Sequence, residues 1–145
     1  MDDERDGEHI AGGPLWSRHA NAGSVWAMVA AFPTLVVAIY RRDRPLLVGT
    51  LLAVALNPVL FSPPEDDDAW ATRVVLGERV WLEREPLASP ETAFVAASAP
   101  VYLFTLRAAA KRRPVRTVVG TVASMTLMLL FFRRMVRLHE KQSDG

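Results

Sequence analysis

Apolar residues in this chain gather into four runs, 22–40, 45–61, 92–110 and 117–132, and the charges fall almost entirely between them. An α-helix rises about 1.5 Å per residue, so about 20 apolar residues cross a hydrocarbon core of ~30 Å. The runs hold 16 to 19 residues each, near the lower limit for a spanning helix. A soluble four-helix bundle would carry a polar stripe on every helix. The run 117–132 (TVVGTVASMTLMLLFF) offers only small hydroxyls in place of one. The pattern therefore predicts spanning helices.

Between the first two runs lies Arg41-Arg42-Asp43-Arg44-Pro45, and between the last two lies Lys111-Arg112-Arg113-Pro114. Both turns are too short for anything but antiparallel neighbours. Each ends on a proline, which a helix tolerates in its first turn because that N–H has no intrahelical partner. Pro33 and Pro58 fall inside runs, where a proline removes one backbone bond. Thr34 and Asn57, beside them, are the expected compensating groups. Past 132 the helix-forming FFRRMVRLHEK continues without a break, so the last helix is expected to run on to about residue 140.

The segment 65–91 is the one sizeable piece outside the runs. Asp66, Asp67 and Asp68 are expected to cap a helix over about 67–84. At 100° per residue, Trp70, Val74, Gly77 and Trp81 form one stripe, with Thr72, Arg79 and Glu83 on the opposite face. Tryptophans flanked by arginines suit a helix lying in the membrane interface. Arg79 and Glu83 are spaced to pair. Trp16, Trp26, Trp70 and Trp81 are the expected interfacial anchors.

Composition sharpens this picture in a few places. Arg107 is the one clear charge inside a run, about a turn from Lys111, close enough for its guanidinium to reach the interface. There is no cysteine, which excludes disulfides and thiolate chemistry. The first 23 residues are acidic and lack the basic and apolar regions of a secretory signal, so the first run is expected to direct insertion. The net charge of +1 gives no argument for nucleic acid. Lys and Arg do not choose an orientation: the tight turns with Arg107 carry eight, and the remaining segments nine.

Glu78 is the leading candidate for chemistry. It falls about 80° from Trp70, on the apolar side of its helix, where an unpaired carboxylate is costly. Expected partners are Arg18, His19, Arg73 and the basic cluster at 133–137. Two readings follow: an ion pair locking the helix to the bundle, or a site for a proton, cation or lipid headgroup. The full candidate binding set is Glu78, Arg79, His19, Asn21, Arg18, Arg134 and Glu140. No close His or carboxylate spacing points to a metal, and no nucleophile elbow or phosphate loop points to catalysis. Neither catalytic residues nor cofactors are expected.

Arg18-His19-Ala20-Asn21, Asn57-Pro58…Leu60-Phe61…Pro63-Pro64, Gly77-Glu78-Arg79-Val80-Trp81-Leu82 and Arg134-Met135-Val136 resemble a family of small uncharacterised integral membrane proteins found mainly in halophilic archaea. The resemblance covers about residues 15–140, and an arginine count of 15 against two lysines accords with it. Ala22 stands where the family is expected to have proline, and Arg133 where an acidic residue is commoner. The resemblance implies a membrane location and no activity.

The expected architecture is all-α: four transmembrane helices in two hairpins, joined by one amphipathic interfacial helix. Residues 1–14 form a disordered acidic tail, 15–141 one membrane domain and 142–145 a short tail. The expected role is a non-enzymatic structural or assembly component of the cell membrane. The alternative is a small-molecule, ion or headgroup binding or transport protein built around Glu78. Expected partners are membrane lipid and either further copies of the chain or a larger membrane assembly.

Overall fold

The computed structural model describes residues 13–84 and 86–145. The expected acidic tail lies outside the described residues up to position 12, and its last two positions belong to a helix. Six α-helices occur among the described residues, in order: α1 (Gly13–His19), α2 (Ala22–Arg41), α3 (Arg44–Leu60), α4 (Trp70–Glu83), α5 (Pro90–Ala110) and α6 (Pro114–Ser143). A short 3₁₀ turn at Pro86–Ala88 precedes α5. No strand occurs among the described residues.

Helices α2, α5 and α6 are long and apolar enough to cross a membrane. Helix α3 is equally apolar, but its 17 residues extend about 26 Å. It continues through Pro58 to Leu60. Helix α6 runs unbroken for 30 residues, three past the expected end.

Burial in the long helices is inverted relative to a soluble bundle. Their covered positions include Ser24, Thr50, Asn57, Ser98, Thr105, Thr117 and Ser124, small or polar residues that let backbones approach. Their outward positions carry Leu51, Leu52, Leu103, Val118 and Val122, each more than half exposed. Such a surface is stable against lipid and not against water. Gly120 marks one close approach, since a Cβ there would strike Thr105. Tyr102 adds a hydrogen bond to the Ser124 carbonyl at 3.1 Å and an edge contact to Phe32 of α2.

The two tight turns share one backbone geometry. Arg42 and Arg112 both take a left-handed conformation, with φ of 58° and 52°. In the first turn, Arg42 N donates to Ile39 O and Asp43 N to Ala38 O; in the second, Arg112 N donates to Ala109 O and Arg113 N to Ala108 O. Each pair satisfies carbonyls left open at a helix end. Asp43 then caps α3 by accepting from Leu46 N at 2.9 Å. The Arg112 guanidinium lies 6.0 Å from the Tyr40 ring, so both turns sit at the same end of the molecule.

At the other end α4 forms a cap with α1, the start of α2 and the last third of α6. One cluster joins Ala20 and Val25 to Ala71 and Val75. A second joins Val74 to Met135 and Val136, with Trp81, Phe131 and Phe132 packed against it. The stripe expected to lie in the interface is therefore largely covered by α6. Trp70 stacks on Trp26 and tilts over Phe132, while Trp81 meets Phe131 edge-on. Thr72, expected on the exposed face, is buried and donates to Ala20 O at 2.7 Å, because the α1–α2 corner covers that side. The aspartates do not cap α4, whose N-cap is Ala69 with no side-chain bond. Instead, Asp66 accepts from Asp68 N, and Asp67 lies 3.3 Å from His139 Nε2.

Candidate functional site

The residues singled out by sequence fall into separate joints of the cap. Arg18 Nη1 donates to Val59 O, and Asn21 Nδ2 donates to Ser62 O at 2.9 Å. Val59 O has a physical need for this. In a continuing helix it would accept from residue 63, but Pro63 has no N–H. Asn21 also caps α2 through Gly23 N at 2.8 Å. The Arg-His-Ala-Asn stretch thus ties off the end of α3.

His19 belongs to the same joint. Its Nδ1 lies 3.4 Å from Ser24 Oγ, which accepts from Asn57 Nδ2 at 2.7 Å. Burial pushes the imidazole below its ordinary range, which favours the neutral ring as acceptor for the Ser24 hydroxyl. Asn57, expected to compensate carbonyls freed in its own helix, instead donates across to Ser24 of α2. Thr34 likewise donates to Ala30 O, one carbonyl beyond the one that Pro33 leaves open. An amide inside an apolar run was the only signal of the Ser24–Asn57 pair.

A second joint unites α4 and α6. Arg79 Nε pairs with Glu83 at 2.7 Å, as the spacing predicts. Arg73 reaches Glu140 at 3.5 Å and Asp68 O at 2.8 Å. Arg84 donates to Gln142 at 3.1 Å. Arg134 lies 4.8 Å above the Phe94 ring. Trp81 Nε1 donates to Ser89 Oγ at 2.8 Å, which holds α4 to the entry of α5. Trp16 packs near His19, and Trp16, Trp26 and Trp70 each keep a third or more of their surface open.

Glu78 is not joined to these groups. Neither Arg18, His19, Arg73 nor Arg134 pairs with it, and it makes no hydrogen bond with a described residue. Its Cα direction lies between those of Val74 and the buried pair Ala71 and Val75. Burial without a cation pushes its carboxyl up to about 7.

Beside the joints, a pocket of about 470 Å³ opens between α1, the 61–69 segment and α4. Trp16, Ala20, Pro63, Val75 and Leu76 form its apolar lining; Asp66, Asp67, Arg79 and His139 add polar groups. Its size and mixed lining suit a small molecule. No group of three or more His and carboxylate side chains able to hold a metal occurs among the described residues. Neither a curated protein nor a solved structure matches the chain. Across residues 7–142, comprising every joint described above, the chain matches and belongs to a family of unknown function, DUF6653.

Proposed function

We propose that this chain is a four-span integral membrane protein, two hairpins sealed by the α4 cap, that acts without catalysis by receiving a small amphipathic molecule at the membrane surface. The pocket between α1, the 61–69 segment and α4 carries this reading. Glu65, Asp66 and Asp67 at one side of it favour a ligand with a cationic group above an apolar body. Trp16, Trp26 and Trp70, amphipathic and partly open, mark the level of the lipid headgroups. The quoted motifs support a non-enzymatic role, since Arg18, Asn21, Asn57 and Gly77 are each used in holding helices together. The arginine-rich basic set is what supports a haloarchaeal-like origin.

Native mass spectrometry of the detergent-purified chain tests the ligand. The expected result is a retained non-lipid mass that is absent in Leu76→Trp, whose larger ring fills the pocket, with the melting temperature unchanged. A wild-type chain that retains nothing would leave the purely structural reading, in which the cap serves helix packing or a larger assembly.

A further inference from the structure

Four cations of α6 make no ion pair or hydrogen bond with any described residue: Arg133, Arg134, Arg137 and Lys141. They line one groove of about 360 Å³ between α6 and the first turn of α5. Glu91 is the single carboxylate among the described residues that line it, and Phe94, Leu130 and Leu138 form the apolar walls. The cation–π contact of Arg134 with Phe94 fixes one guanidinium at the groove's edge. Arg133, Arg137 and Lys141 recur every fourth residue, a row of about 12 Å along one face. At the spanning end of the groove, Leu130 is 45% exposed and continues the apolar outer surface of the long helices.

We propose that this groove binds the headgroup of an anionic phospholipid carrying two phosphates, with an acyl chain descending along Leu130. Charge complementarity selects the headgroup: four cations against one carboxylate leave more positive charge than a single phosphate neutralises. The length of the row selects two phosphates over one, since the Arg133 guanidinium at one end and the Lys141 ammonium at the other are spaced to take a phosphate each. A basic pocket between helices at the membrane surface is a favourable place for such a ligand. The site is separate from the pocket under α4 and rests only on the membrane placement.

The test is lipid retention by the delipidated full chain in neutral detergent, read by native mass spectrometry. The probes are diphosphatidylglycerol, phosphatidylglycerol and phosphatidylcholine. Diphosphatidylglycerol is expected to be retained about tenfold over phosphatidylcholine, with phosphatidylglycerol between them. Arg133→Gln/Arg137→Gln/Lys141→Gln should abolish the preference, and Arg44→Gln/Arg113→Gln, at the opposite end, should preserve it. If the triple variant fails to fold, Arg137→Gln alone should lose about threefold. Equal retention of all three lipids, an unaffected triple variant, or equal loss in the opposite-end variant would each overturn the proposal. Displacement of the lipid by inorganic pyrophosphate would assign the groove to a soluble diphosphate and overturn the lipid as its ligand.

Discussion

The backbone of Gly77 rests on the carbonyl of Met135, so closely that a Cβ at position 77 would overlap that carbonyl. This contact sets the distance between α4 and α6 and brings Val74 and Trp81 onto the Met135 and Phe131 side chains. Gly77→Ala is therefore expected to push α4 off α6 and to cost ~2–3 kcal/mol, the upper range for overpacking because the obstacle is backbone. Thermal unfolding in detergent would show the loss, and proteolysis in the 61–69 segment should accelerate. An unchanged melting temperature would mean that the contact is not a close one.

Two other glycines give a contrast within the long helices. A Cβ at Gly49 meets nothing within 4 Å, whereas one at Gly120 would strike Thr105. Gly49→Ala is expected to stabilise by ~0.5–1 kcal/mol through backbone entropy. Gly120→Ala should destabilise by ~1–3 kcal/mol by separating α5 from α6. Paired melting curves decide it, and equal shifts for the two variants would refute the packing described.

Glu78 predicts a pH dependence whose sign is fixed by the direction of its shift. The carboxyl titrates near 7 in the fold and at about 4.5 when solvated. The folded state therefore holds a proton that the unfolded chain releases first. Stability should be full at or below about pH 4.5 and fall as pH rises towards 7. The carboxyl keeps partial access to solvent, so the loss is expected to be ~1–3 kcal/mol. Glu78→Gln should flatten the profile and be more stable than wild type at pH 8. An Ion-paired Glu78 would give the opposite result, with Gln less stable at every neutral or alkaline pH.

The Ser24–Asn57 bond is expected to couple α2 to α3 by about 0.5–1.5 kcal/mol, the range for hydrogen bonds between membrane helices. Ser24→Ala and Asn57→Ala should each destabilise, and the double variant by less than the sum of the two. Additive losses would mean that the residues act separately.

How much of this was legible in the sequence depends on the reach of each interaction. Runs of apolar residues, the proline-ended turns, the Arg79–Glu83 pair and the long reach of α6 are local, and the sequence shows them directly. Helix α1 was hidden because seven residues carry too little periodicity to register. The burial of Thr72 is not legible locally because it depends on Ala20, 52 positions away. The same limit applies to Glu78: the sequence implies a partner, and only the fold shows that Arg18 and Arg73 are engaged elsewhere, that His19 faces Ser24, and that Arg133, Arg134 and Arg137 line a separate groove. The quoted motifs gave position without pairing, and the structure joins them two by two, Arg18 and Asn21 with the end of α3, and Gly77 with Met135.

The proposed span count is testable from where the ends lie. Arg112 beside Tyr40 puts both tight turns at one end, and the cap lies at the other. If α3 crosses, residues 44 and 83 face opposite sides of the membrane. The absence of cysteine makes the test clean. Single cysteines at Arg44, which leaves the Asp43 cap intact, and at Glu83 should differ in labelling by an impermeant thiol reagent on intact cells. Labelling at position 83 alone would expose the cap and its pocket to the exterior; labelling at 44 alone would turn them towards the cytoplasm. Labelling at both would place α3 on one side of the membrane and reduce the protein to three spans, with the turn at Arg112 then forced away from Tyr40.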